Sequence, residues 1–191
     1  MGICDYWVFA MGKLGAIWGF SGVVALLGYA IWRLAPRASE AIQGGLSVGQ
    51  WGLLVVFAGF MLFAEGYRGF QKKFSPRTAA RVRYLNDHPT SLRVLFAPFF
   101  CMGYFYATRK TKITAIALTL GIFLLVLLVS FLSQPWRGII DFGVVLGLSY
   151  GIVSFAAFTV KACFGNEFPH SPEVPGEQGK IRKEVAVGSQ P

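Results

Sequence analysis

Residues 65–112 read EGYRGFQKKFSPRTAARVRYLNDHPTSLRVLFAPFFCMGYFYATRKTK. This stretch lies between two apolar runs and holds ten Lys and Arg residues against two acids. Lys and Arg are retained on the cytoplasmic side of a membrane, most strongly where they lie close to a span. Because Arg68 follows one apolar run and Lys112 precedes the next, both ends of the stretch are predicted to be cytoplasmic.

The composition is that of a membrane protein rather than a soluble domain. Of 191 residues, 54% are hydrophobic and 14% are charged, whereas a soluble domain carries about 25% charged residues. The net charge of +9 lies beside apolar runs, so anionic lipid headgroups are its expected partner and nucleic acid is not. The fold class predicted is an all-α polytopic membrane protein, a four-transmembrane-helix bundle with a basic cytoplasmic helical loop.

Four apolar runs have about the 20-residue length that crosses the hydrocarbon core. The predicted spans are 14–34, 48–64, 113–132 and 139–160. The first is expected to end at Pro36, and Ser75-Pro76 is expected to start a short helix inside the loop 65–112. A short segment, 1–13, precedes the membrane domain 14–164. The Pro-rich remainder, 165–191, is predicted to be a disordered cytoplasmic tail.

The segment 94–107 decides the number of spans. It is apolar and aromatic but has only about 14 residues and contains Pro98, features typical of an interfacial or re-entrant segment. If it crossed the membrane, Arg109, Lys110 and Lys112 would lie opposite the basic residues between positions 68 and 83, against the charge rule. We therefore predict four spans, with both termini in the cytoplasm, in a plasma or bacterial inner membrane.

Two sets of residues are candidates for binding and packing. The basic residues expected to contact lipid headgroups are Arg68, Lys72, Lys73, Arg77, Arg81 and Arg83. Gly143, Gly147 and Gly151 recur every four residues and share one helix face, and Gly15 and Gly19 form a shorter pair. Small residues let helices approach closely in lipid. The sequence leaves open whether these faces pack within one chain, in a homo-oligomer, or against a membrane protein partner.

No pattern in the sequence predicts catalytic, cofactor-binding or metal-ligating residues. Asp87 and His88 are neighbours on a predicted turn, and His170 lies in the predicted tail, but these do not have the spacing of a metal site. Arg33 and Asp141 are predicted on the same outer side, where they could pair.

Three functions are compatible with this reading of the sequence. The first is a non-enzymatic assembly or accessory protein that contacts anionic lipid through the basic loop. The alternative is a subunit of an oligomeric transporter or channel. A lipid-modifying enzyme that uses Asp87 and His88 has the least support.

Overall fold

A computed structural model describes residues 3–165 and 168–175, and all regular secondary structure in that part of the chain is helical. The elements are α1 (Ile3–Gln43), α2 (Val48–Met61), the π-helix π1 (Leu62–Phe74), α3 (Ser75–Asp87), α4 (Ser91–Leu95), α5 (Ala97–Met102), α6 (Arg109–Ser130) and α7 (Trp136–Phe164).

Four helical stretches are long and apolar enough to cross a membrane. They cover Tyr6–Gln43, Val48–Asp87, Arg109–Ser130 and Trp136–Phe164. Their apolar side chains face outward to a degree that water-soluble proteins avoid; Val56, for example, is 70% exposed. The predicted all-α class with four apolar helices is therefore confirmed, although each helix is longer than its predicted span.

Helix α1 continues through Pro36, where the sequence predicted its end. A proline inside a helix removes one backbone donor and disturbs the carbonyls of the preceding turn. Around this position the Arg37 guanidinium donates to the Arg33 carbonyl at 3.3 Å, and the Ser39 hydroxyl donates to the Pro36 carbonyl at 2.7 Å. Both side-chain bonds therefore lie within four residues of the proline. At the other end of the helix, the residues predicted as a separate N-terminal segment belong to α1 from Ile3 onward.

The second span does not end near residue 64 but continues as one helix to Asp87. Ser75 is not an N-cap: its backbone is in the right-handed helical region, and its N–H donates to the Phe70 carbonyl. Pro76 is tolerated at the change from π1 to α3. The predicted turn after Asn86 is present, since α3 ends at Asp87.

The most completely buried core lies at the basic end of the bundle. We call α3, α4, α5 and residues 168–175 together the cap. Its core contains Val82, Leu85, Ala97, Phe100, Cys101 and Val174, which pack with Val23 of α1 and Phe155 of α7. The segment 94–107 therefore forms two short helices and a turn in this cap rather than one long helix.

Part of the predicted tail belongs to the cap. Val174 is only 1% exposed, and the Thr108 N–H donates to the Glu173 carbonyl at 3.0 Å. The composition alone did not indicate this packing, because its partners lie far back along the chain. Residues 166–167 and 176–191 of the predicted tail lie outside the described residues.

Candidate functional site

The six basic residues predicted to contact headgroups fall into three environments. Arg68, Lys72 and Lys73 of π1 are exposed, and we call them the basic strip. Arg77 and Arg83 are half-buried, and they lie 3.9 Å from a Glu173 oxygen and 4.0 Å from an Asp87 oxygen, respectively. Arg81 is completely buried. Of the six predicted residues, the three of the basic strip are therefore exposed, whereas Arg81 has no exposed surface to offer a headgroup.

Arg81 joins three separate parts of the chain by binding backbone carbonyls. Its Nε donates to Phe100 O at 2.7 Å, and its Nη1 donates to Pro172 O at 2.8 Å. Its Nη2 donates to Phe105 O and Tyr106 O, both at 3.0 Å. The guanidinium carbon also lies 4.3 Å above the centre of the Phe100 ring. The planar fork of Arg suits this arrangement of several acceptors, which we call the Arg81 clamp.

Side chains around the clamp fix the tail segment and exclude water. The Thr111 hydroxyl donates to the Glu173 carboxylate, which also faces Arg77. Cys101 lies beneath the clamp with no exposed surface, and its burial raises the pKa of the thiol to about 12 despite the nearby positive charge of Arg81. A thiol in this state is not an activated nucleophile, so Cys101 is a packing residue.

The glycine face of α7 packs against the second helix of the same chain. A Cβ atom at Gly143 would lie 2.8 Å from the Phe57 ring, and one at Gly147 would lie 2.8 Å from Glu65 Oε2. At Gly151 it would lie 2.6 Å from the Phe70 ring. A larger residue at these positions would force the neighbouring side chains to shift, and contacts within the chain therefore occupy this face.

A second small-residue face, on α1, receives the cap. A Cβ atom at Gly15 would meet Val94 at 2.9 Å, one at Gly19 would meet the Cys101 sulfur at 2.8 Å, and one at Gly22 would meet Pro98 at 2.3 Å. Gly12 extends the same face towards the end of α3. The sequence identified the Gly15–Gly19 pair but missed Gly12 and Gly22, whose spacing of three and seven residues from Gly15 was the available signal.

A cavity of about 250 Å³ lies between α6 and the rest of the bundle. Its walls are mainly apolar, and the charged residues that line it are Glu65 and Arg77. Tyr104 and Thr119 also line it and are hydrogen-bonded to each other. The remaining lining residues are Leu27, Gly69, Phe70, Phe74, Met102, Ala115, Leu118, Ile122 and Leu148.

The loose packing of α6 forms this cavity. Along the whole of α6, only Thr111, Ala115 and Val129 are buried. The helix is joined to the cap at its first turn through Thr111 and then runs beside the bundle with most of its apolar surface exposed.

A smaller polar pocket brings together the titratable residues of the predicted turn and tail. About 230 Å³ in volume, it is lined by Arg83, Asp87, His88 and His170 among others. His88 stacks on Tyr84 with ring centres 4.7 Å apart, and Asp87 faces Arg83. Among the described residues, no three His, Cys, Asp or Glu side chains converge as metal ligands. The arrangement does not assign a catalytic role to Asp87 or His88.

At the opposite end of the bundle, Asp141 pairs with a different arginine from the one expected. Arg137 Nε lies 3.9 Å from Asp141 Oδ2, one helical turn earlier in α7. The Gln134 side chain meanwhile bonds the Arg37 carbonyl of α1 at 3.2 Å. Helix-local pairing therefore replaces the predicted Arg33–Asp141 contact.

No family model, curated protein or solved structure matches this chain. Functional inference therefore rests on the residues and geometry described above.

Proposed function

We propose that this protein is a multi-pass integral membrane protein that binds anionic lipid headgroups through Arg68, Lys72 and Lys73. Its role is non-enzymatic: it assembles with, or assists, another membrane component. The four apolar helices support insertion into a bilayer, and the charge distribution favours a cytoplasmic position for the cap and both termini.

The observation that carries this proposal is the abrupt change of surface along π1. Phe63 is 56% exposed, and within ten residues the exposed side chains become Arg68, Lys72 and Lys73. Tyr67 lies at the boundary, with the Lys72 ammonium 4.7 Å from its ring centre. Apolar surface followed by an aromatic and then basic residues matches the order of hydrocarbon, interface and headgroup in a bilayer.

The strength of the interaction follows from the number of exposed charges. Each Lys or Arg close to an anionic membrane surface contributes about 1 kcal/mol, so the basic strip should contribute about 3 kcal/mol at low ionic strength. Because the charges are exposed, salt should weaken the effect.

Thermal unfolding in nanodiscs tests the proposal. Wild-type protein should unfold at a higher temperature in nanodiscs of phosphatidylglycerol than in those of phosphatidylcholine, and added salt should reduce the difference. The variant R68Q/K72Q/K73Q should lose most of this difference. A matched control, K13Q/R33Q/K161Q, removes the same number of exposed charges from dispersed positions, and it should retain more of the preference than the basic-strip variant.

Two results would contradict the proposal. One is a wild-type protein equally stable in both lipids. The other is a basic-strip variant that keeps the full preference for phosphatidylglycerol, which would place headgroup binding elsewhere.

Assembly is assigned to α6, because the glycine faces of α1 and α7 are already occupied within the chain. Its outward residues, such as Leu124 and Phe123, are more than half exposed. A cysteine at Leu124 should form a disulfide or a partner cross-link in native membranes, whereas one at Val56 on the second helix should not. Equal cross-linking at the two positions would argue against α6 as the assembly surface.

A further inference from the structure

The cavity beside α6 is lined by two charged residues, Glu65 and Arg77, by the paired hydroxyls of Tyr104 and Thr119, and otherwise by mainly apolar residues. Glu65 and Arg77 are twelve residues apart on one continuous helix. At about 1.5 Å per residue, that separation corresponds to at most about 18 Å along the axis. On α6 the lining runs from Ala115 to Ile122, so the cavity follows the helices lengthwise. An apolar space that follows the helices lengthwise suits a single hydrocarbon chain.

The cavity reaches the outer surface of the bundle along α6. Leu118 and Ile122 line it and are also 54% and 59% exposed. If α6 spans a membrane, this opening faces lipid rather than water. Apolar cavities hold water poorly, so the surrounding hydrocarbon is the natural occupant.

The charge at the cap end selects the kind of lipid. Arg77 lines the cavity where α3 begins, with its side chain 17% exposed and a Glu173 oxygen 3.9 Å away. This separation is longer than a hydrogen bond, so the guanidinium retains donors for an additional anion. Lys73 lies one turn from the lining residue Gly69 and adds positive charge near this end.

We infer that the cavity beside α6 binds one hydrocarbon chain of an anionic phospholipid, with the headgroup phosphate at Arg77 and the chain extending along α6 towards Glu65. This inference rests on the proposed function, because it requires α6 and the second helix to lie in a bilayer. It extends that function by giving the lipid a defined site: the chain fills the space that the loose packing of α6 leaves open.

Photo-cross-linking tests the position of the chain. The probe is phosphatidylglycerol with a diazirine on one acyl chain, added to phosphatidylcholine nanodiscs that contain the full-length protein. We expect cross-links at the cavity-lining parts of α6 and π1, competed by unlabelled phosphatidylglycerol. The same probe with a choline headgroup should label the exposed apolar surfaces without saturation.

Two tryptophan variants on the same helix separate cavity occupancy from general contact with lipid. Leu118→Trp fills the cavity and should abolish the competable cross-link. Leu120→Trp changes an equally apolar residue that is 63% exposed and does not line the cavity, and it should leave the cross-link unchanged. If Leu118→Trp fails to fold, Ile122→Trp provides the same test. Retention of the competable cross-link in a folded cavity variant would overturn the inference.

Substitutions of Arg77 test whether this residue binds the headgroup phosphate. Arg77→Gln should reduce the preference of the site for phosphatidylglycerol about fivefold, the equivalent of the loss of one charge near a headgroup. Arg77→Lys should retain most of it. Competition by a free fatty acid but not by phosphatidylglycerol would overturn the assignment of a phospholipid.

The outcomes distinguish this inference from the proposed function. If the basic-strip variant loses its stabilisation by phosphatidylglycerol but the cavity is not cross-linked in wild-type protein, only the cavity site is refuted. If wild-type protein shows neither stabilisation nor competable cross-linking, both proposals are refuted.

Discussion

Replacing Arg81 by methionine should be among the most damaging single changes in this protein. The substitution keeps a long side chain with an aliphatic stem but removes the donors that bind four backbone carbonyls in the cap. The Phe100 carbonyl would keep the bond that it accepts from the Gly103 N–H. The carbonyls of Phe105, Tyr106 and Pro172 would lose the bond from Arg81.

The expected cost follows from these lost bonds. Each buried polar group left unsatisfied costs about 1 to 3 kcal/mol, and loss of the contact with the Phe100 ring adds about 1 kcal/mol. Methionine avoids the cost of burying a charge, which offsets part of the loss. We therefore expect the free energy of unfolding to fall by about 3 to 5 kcal/mol, the cost of three unsatisfied carbonyls less this offset.

Unfolding by denaturing detergent, followed by circular dichroism, would measure this change in the purified protein. Arg81→Lys keeps the charge but has a compact ammonium that does not match the spread acceptors, so its loss should be intermediate. Arg109→Met, at an exposed position, should change the free energy by no more than about 0.5 kcal/mol.

Limited proteolysis adds a local measurement, because loss of the bond to Pro172 should expose residues 168–175 to cleavage. A loss of less than about 1 kcal/mol for Arg81→Met, with the tail segment still protected, would refute the importance of the clamp.

Two further predictions concern packing and topology. Gly147→Leu should destabilise the protein by about 1 to 3 kcal/mol because the added side chain meets Glu65. Gly28→Leu should not destabilise it, because a Cβ atom at Gly28 meets nothing within 4 Å. Equal effects of the two substitutions would contradict the packing role of the glycine face of α7. Reporter fusions after Arg93 and after Lys112 should both report the cytoplasm, and single cysteines near Gly45 and Asn86 should react on opposite sides with an impermeant thiol reagent. An outside report after Lys112 would mean that 94–107 crosses the membrane and that five spans are present.

The sequence predicted the number and type of the long helices because both depend on local composition. Uncharged runs of sufficient length indicate apolar helices wherever they occur. It predicted their ends poorly, since Pro36 and Ser75-Pro76 are strong local signals for boundaries and both lie inside continuous helices. At both positions the helix continues despite these local preferences. Near Pro36, side chains bond nearby carbonyls, and at Ser75-Pro76 the π-helix π1 is followed directly by α3.

The candidate site was harder to predict because it depends on contacts between distant residues. Six basic residues look alike in composition, yet Arg81 is buried whereas Lys72 is exposed. One signal was available: Arg81 lies three residues after Thr78 and four before Leu85, on the face of α3 that carries apolar and small residues. Its acceptor Pro172, 91 residues away, had no signal in the sequence.

The Arg81 clamp also constrains the topology of the chain. The guanidinium meets carbonyls from residues 100, 105, 106 and 172, so these residues and Arg81 must lie on one side of any bilayer, whose hydrocarbon core is about 30 Å thick. A complete crossing between residues 81 and 106 would separate groups that lie within hydrogen-bonding distance. If α6 and α7 both cross, they return the chain to the same side at Pro172. The contact therefore argues against a fifth span, independently of the distribution of charge.

The order in which the chain is synthesised allows Arg81 to contribute first to the predicted orientation of the loop 65–112 and later to the packing of the cap. Pro172 follows α7, so the clamp cannot close until the last apolar helix has been made. Until then the positive charge of Arg81 would count towards the predicted retention of the loop in the cytoplasm. Once the tail arrives, the same charge is buried by carbonyls from both sides of the α6–α7 hairpin. A basic residue counted in a topology prediction need not remain available to lipid in the folded protein, as the complete burial of Arg81 shows.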